Sequence, residues 1–168
     1  MARVAAIVLA AGEASRFGSP KQRLLLPSVL DRVHETSVDE VVVVEGAYPL
    51  DEIGGGVRIV RCAEWARGPG ASLRCGLEAL ADDVGAAVVV LADGPTLSPE
   101  AVERVLGEWK RKGGIVAASY AGARGHPLVL GRGDFVRVPD EGFRAVPARL
   151  VPCDDLGAPG DVDTPADL

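Results

Sequence analysis

Continuous apolar runs, separated by turn-forming and amphipathic stretches, organise this chain. The runs Val4 to Leu9, Val41-Val42-Val43-Val44 and Val88-Val89-Val90-Leu91 are unbroken. Strands covered on both faces of a parallel sheet carry such a pattern. The strand candidates are Arg3–Ala10, Glu40–Glu45, Val57–Arg61, Ala86–Ala92, Gly114–Ser119, Pro127–Leu130 and Arg149–Pro152. Helical periodicity is clearest over Ser98–Lys112. There Ser98 suits the N-cap and Pro99 the first helical position, and Val102, Val105, Leu106 and Trp109 form an i, i+3, i+4, i+7 stripe. A second helix is predicted over Ser72–Ala81, with Leu73, Leu77 and Leu80 on one face, and a shorter third over Ser28–Glu35. Gly131–Pro147 has few apolar positions and reads as surface loop. Strands alternating with helices predict an α/β domain, a mostly parallel central sheet flanked by helices in three layers. In such a sheet ligands bind beyond the carboxyl ends of the strands.

Size and composition narrow the classes. At 168 residues the chain is expected to be one domain, residues 1–168, and 48% hydrophobic residues supply a core. The net charge of −6 disfavours a nucleic-acid partner or an anionic membrane. No apolar run reaches the length of a membrane span. A secretory leader is rejected, because the glycine-rich stretch continues directly from the first apolar run. Cys62, Cys75 and Cys153 are odd in number and lack metal-type spacing, so free thiols in a reducing cytoplasm are expected.

The chemistry starts at the end of the first strand, in Leu9-Ala10-Ala11-Gly12-Glu13-Ala14-Ser15-Arg16-Phe17-Gly18-Ser19-Pro20-Lys21. A glycine-rich loop leaving a strand brings backbone N–H groups close to an anion, and Arg16 and Lys21 add positive charge. The plain alternative is a glycine turn with two solvated cations. Neither the Walker A pattern nor the dinucleotide fingerprint fits. The motif L-A-A-G-x-x-x-R-F-G-x-P-K resembles the signature of the molybdenum cofactor cytidylyl- and guanylyltransferases, MobA-like NTP transferases of the nucleotidyltransferase fold.

That resemblance implies roles at further motifs. Asp93 follows the strand ending in Val90-Leu91, in Ala92-Asp93-Gly94-Pro95; by itself it reads as an Asx turn, whereas the family's G-D-x-P aspartate binds metal. Ala92 replaces that motif's glycine. In Asp161-Val162-Asp163-Thr164-Pro165 the resemblance assigns a metal ligand to Asp161, with Asp163 as runner-up; acidic residues near a helix start are the plain reading. Trp65 to Leu77 is similar to the family's W-x-x-G-x-x-x-S-L-R-x-G-L, where Ser72 at a helix start either caps the helix or reaches the nucleotide. Arg74 reads as a solvated residue. Arg124-Gly125-His126-Pro127 is similar to the R-G-H-P segment of the cytidylyl branch, which faces the acceptor.

Together these imply a Mg2+-dependent transfer of CMP from CTP to the phosphate of molybdopterin, with release of pyrophosphate. Leu9, Ala10, Ala11, Gly12, Arg16, Lys21 and Ser72 would bind the nucleotide. Arg16, Lys21 and Asp93 would act in catalysis, Asp93 and Asp161 on the metal, and Arg124, Gly125 and His126 on the acceptor. Ala11 points to CTP, since guanylyl enzymes carry glycine there. A molybdoenzyme or a second copy of the chain are the implied partners. Two alternatives stand beside this reading. One is a guanylyl, sugar-phosphate or polyol-phosphate transferase. The other is a non-catalytic nucleotide-binding homologue, suggested by Ala92 and by the short segments after Lys21 and Thr164.

Overall fold

The computed structural model describes residues 2–12, 21–47, 49–50, 55–144 and 146–160, with backbone alone at 21–23. Seven strands form one sheet: β1 (Arg3–Ala10), β2 (Glu40–Glu45), β3 (Val57–Arg61), β4 (Val84–Leu91), β5 (Ile115–Tyr120), β6 (Ala123–Gly131) and β7 (Arg149–Pro152). Their order is β3-β2-β1-β4-β6-β5-β7. β6 is antiparallel to both of its neighbours, and every other pairing is parallel.

Each buried strand alternates between two cores. Val4, Ala6, Val8 and Ala10 meet α1 (Lys21–Val33) and α3 (Pro99–Lys112) on one face. Ala5, Ile7, Val42 and Val44 meet α2 (Pro69–Glu78) on the other, together with Phe135, Val138 and Phe143. The result is the expected three-layer α/β architecture. Helix α2 approaches the sheet closely at Gly76, where a Cβ would lie 2.8 Å from Val44 Cγ2. Helix α3 ends at Gly113, which takes the positive φ of 67° that glycine adopts without strain.

Several elements depart from the pattern read in the sequence. Helix α1 begins seven residues before Ser28, because Leu25, Leu26, Val29, Leu30 and Val33 bury one face despite the polar first turn and Pro27. Helix α2 begins at Pro69 and not Ser72: Pro69 takes the first helical turn and Gly68 the N-cap. β6 extends to Ala123, through polar residues that hide a strand pattern. The stretch Gly131–Pro147 is not only surface loop, since Phe135, Val138 and Phe143 are buried over the α2 face.

The cysteines also depart from expectation. Cys62 and Cys75 form a disulfide, and Cys153 alone is free and buried. The chain folds back from β3 through a 3-10 turn at Trp65–Arg67 into α2, bringing the two Cα atoms to 5.7 Å. A separation of 13 residues carries no local sign of such a pairing.

Candidate active site

β1 and β4 are parallel neighbours with Leu9 opposite Leu91, and Ala92 N–H donates to the Leu9 carbonyl at 3.0 Å. Both chains leave the sheet at the same edge. After β1 come Ala11 and Gly12. After β4 a turn closed by Gly94 N–H on the Leu91 carbonyl, at 3.2 Å, presents Asp93. This is the topological switch point: β1 leads to β2 on one side, and β4 lies on the other.

Two cavities open there. One, of about 300 Å3, has Leu9, Ala11, Gly12, Trp65, Ser72 and Asp93 in its lining. The other, of about 500 Å3, is walled by apolar Val90, Leu91, Leu97 and Tyr120, with Arg124, Gly125 and His126 at its polar part. Leu91 lines both cavities; Asp93 borders the smaller and its neighbour Gly94 the larger. Asp93 therefore stands at the divide.

Most of the sequence-predicted residues converge here. Leu9, Ala11, Gly12, Ser72 and Asp93 share the smaller cavity, and Arg124, Gly125 and His126 share the larger. Ala10 does not line either: its methyl is buried with α1 and α3, leaving only its backbone for a ligand. Ala92 likewise turns its methyl into that core and lines neither cavity. Arg16, Asp161 and Asp163 lie outside the described residues, as does the side chain of Lys21. The last described residues pack on the turn after β4: Thr96 N–H donates to the Pro159 carbonyl at 2.9 Å, and a Cβ on Gly94 would meet Pro159 Cβ at 3.1 Å.

The wall formed by 62–75 is braced. Arg74 is not merely solvated: it pairs with Asp140 and donates to the Val138 carbonyl. The Arg74 guanidinium, with Arg67 beside it, holds the Asp140 carboxyl below the usual carboxylate range. Gly70 N–H donates to the Asp140 carbonyl at 2.8 Å. A Cβ at Gly70 would sit 1.6 Å from the Pro139 carbonyl oxygen, so only glycine allows this contact.

The larger cavity is held by Tyr120, whose hydroxyl donates to the His126 carbonyl at 2.7 Å. Burial pushes the Tyr120 phenol up to about 12, so it remains a donor. Burial pushes His126 down to about 4; the Asp93 carboxylate opposes that shift and Arg124 adds to it. His126 is thus neutral at pH 7. Arg124 Nη1 donates to the Val146 carbonyl, while its buried Nη2 has no partner among the described residues. Sequence reasoning gave no role to Trp65, Tyr120 or Ala158–Gly160, which complete the cavity walls. Only Trp65 carried a signal, as the first residue of its motif.

Among the described residues, no three His, Cys, Asp or Glu side chains come together as a metal cluster. A hard cation such as Mg2+ needs fewer protein ligands, one or two carboxylates plus phosphate oxygens and water. Asp93, a hard oxygen donor at the divide, fits that requirement. No helix among the described residues is long and apolar enough to cross a membrane.

A strand-end glycine loop, a carboxylate at the switch point and paired cavities define a nucleotidyltransferase. The model of the MobA-like NTP transferase domain matches residues 6–140, and the chain belongs to that family. Among solved structures, the Mycobacterium sp. strain JC1 homologue of Mycobacterium tuberculosis Rv0371c is 28% identical, with a TM-score of 0.82 over 98% of this chain and 92% of that one. Rv0371c from Mycobacterium tuberculosis H37Rv itself is 27% identical, with a TM-score of 0.81 over 99% and 95%. A manganese complex of Rv0371c superposes with a TM-score of 0.69 at 22% identity, over 99% and 92%. CMP:2-keto-3-deoxy-manno-octonic acid synthetase complexed with CTP shares the fold at 13% identity, with a TM-score of 0.75 over 98% and 94%. Among curated proteins there is no significant match.

Proposed function

We propose that this nucleotidyltransferase moves CMP from CTP to the phosphate of molybdopterin, releasing pyrophosphate, with Mg2+ as its metal. The observation that carries the reading is Asp93 at the divide between a cavity with the glycine loop and one with Arg124, Gly125 and His126. A phosphate oxygen of the acceptor attacks the α-phosphorus in line, the bond to the bridging oxygen breaks, and pyrophosphate departs. Catalysis is then positioning and charge neutralisation, without a covalent enzyme intermediate. Arg16 and Lys21 neutralise the triphosphate, with Lys21 at the α-phosphate and Arg16 at the leaving pyrophosphate. Asp93, with Asp161 or Asp163, would hold the metal. Bound there, a divalent cation neutralises charge on the phosphate oxygens. The manganese in the Mycobacterium tuberculosis relative supports a divalent metal.

The base choice rests on Ala11, a residue that borders the smaller cavity, where a methyl in place of a hydrogen leaves less room for a purine. The acceptor choice rests on the larger cavity. Its walls are mainly apolar, and its imidazole is neutral at pH 7. The flat faces of a heterocycle suit such walls, and Arg124 and His126 stand where its polar edge needs partners. In this reading residues 1–168 act as one unit in the cytoplasm. A molybdoenzyme that takes up the product, or a second copy of the chain, are the partners it allows.

The test is thermal stabilisation by CTP, GTP, ATP and UTP, each with and without Mg2+. A ligand at a hundred times its Kd adds about 2.7 kcal/mol to the folded state. A Mg2+-dependent shift selective for CTP is expected. Selectivity for GTP would move the assignment to a guanylyl enzyme, and no shift with any nucleotide would contradict it.

A further inference from the structure

We propose that Trp65 is the aromatic platform for the nucleoside base, an inference that rests on the nucleotidyl-transfer reading and adds to it the residue that recognises the base. Trp65 is half-buried and lines the smaller cavity with Leu9, Ala11, Ala66, Pro69 and Leu91. Among the described residues it is the one aromatic side chain in that lining. The polar members, Gly12 backbone, Ser72 and Asp93, suit phosphates, ribose and metal; the apolar remainder has no use for them. A base is the part of a nucleotide that has a flat apolar face to bury, and aromatic side chains stack on any base.

The indole is held in place before any ligand arrives. A Cβ on Gly46 would lie 2.5 Å and 2.6 Å from Trp65 Cβ and Cγ, so the end of β2 packs against the root of the side chain. Gly68 N–H donates to the Trp65 carbonyl at 3.2 Å, closing the 3-10 turn. Arg67 ties the same turn to Glu64 at 2.7 Å and to Asp140 at 3.1 Å. The Cys62–Cys75 disulfide then closes the whole segment that supplies Trp65, Ala66, Gly68, Pro69 and Ser72 to the cavity. A surface placed in advance costs less ordering on binding.

The experiment measures equilibrium binding of two probes, CTP and inorganic tripolyphosphate, each with Mg2+. It uses the unsubstituted protein, Trp65→Phe and Trp65→Ala. Loss of one base–aromatic stack weakens binding by about tenfold or more. Trp65→Ala is therefore expected to raise the Kd for CTP by that order and to leave tripolyphosphate unchanged, with Trp65→Phe between. Tripolyphosphate binding also serves as the control that the variant is folded. In a Trp109→Phe background, the remaining indole fluorescence should change on adding CTP and not on adding tripolyphosphate. Trp109→Phe breaks no indole hydrogen bond, because Trp109 Nε1 is buried without a partner among the described residues. An unchanged CTP affinity in Trp65→Ala, or an equal loss for both probes in variants that still unfold cooperatively, would overturn the proposal. Absence of CTP binding by the unsubstituted protein would contradict the nucleotidyl-transfer reading itself, and this inference with it.

Discussion

His126 lies within electrostatic reach of Asp93, although the two arrive on strands of opposite direction. β4 and β6 pair Val89 with Leu128; two positions from that pair toward the site edge lie Leu91, the last residue of β4, and His126, within β6. The antiparallel strand thus brings the Arg124–Pro127 segment toward Asp93. This relationship depends on β6 alone, the one strand that runs against the rest of the sheet.

The burial of His126 predicts a pH dependence of stability. Its pKa is about 4 in the folded protein against an ordinary 6.5. Between these values the unfolded chain holds a proton that the native imidazole lacks. Stability from this group is complete above pH 6.5 and falls as the pH drops to 4, by about 1.4 kcal/mol per unit. Urea unfolding of the metal-free protein across this range checks it, with His126→Gln expected to flatten the slope. Equal slopes in both proteins would refute the assignment.

Asp93→Asn keeps the shape of the side chain and removes its charge. Pyrophosphate release should fall by at least about a hundredfold, as when one group stabilising transition-state charge is lost. Unfolding without ligand checks that the variant is folded. Undiminished turnover would remove Asp93 from the metal site.

Ala11→Gly takes one methyl from the lining of the smaller cavity. A single such group is worth about tenfold or somewhat more in discrimination. The ratio of GTP to CTP affinity is expected to rise by that order in a competition titration. No change would mean that base choice is made elsewhere in the wall, with Trp65 the first residue to examine.

Reduction of Cys62–Cys75 by a dithiol should cost stability. Opening a loop of 13 residues restores chain entropy to the unfolded state, worth about 3 kcal/mol. Denaturant unfolding with and without reductant measures it, with Cys62→Ala/Cys75→Ala as the control that reductant no longer affects. Affinity for CTP should weaken along with stability, because the same loop supplies Trp65 and Ser72 to the cavity.

The strands were legible because a strand buried on both faces must be apolar at every position, as Val41–Val44 and Val88–Leu91 are. Much of the site was legible for a related reason: Gly12 and Asp93 follow such strands directly, so their place at the sheet edge follows from the fold. Features set by distant contacts were hidden. Polar Arg124, Gly125 and His126 extend β6 because their strand needs backbone partners, not apolar side chains. Phe135, Val138 and Phe143 are too sparse to form a periodic pattern, yet they cover the α2 face of the sheet. The Cys62–Cys75 pairing and the Arg74–Asp140 brace join segments that no local spacing connects. Ser72, read from its motif as either a helix cap or a nucleotide contact, lines the smaller cavity and does not cap its helix, because Gly68 and Pro69 start that helix earlier.

The central claim is tested most directly by incubating the protein with molybdopterin, Mg2+ and each nucleoside triphosphate in turn, and measuring pyrophosphate together with the nucleotide-linked product. The account predicts stoichiometric pyrophosphate and a cytidylylated pterin from CTP, with GTP, ATP and UTP far slower and Asp93→Asn inactive. Pyrophosphate release from CTP with a sugar phosphate but not with molybdopterin, or equal turnover of all four nucleotides, would contradict it.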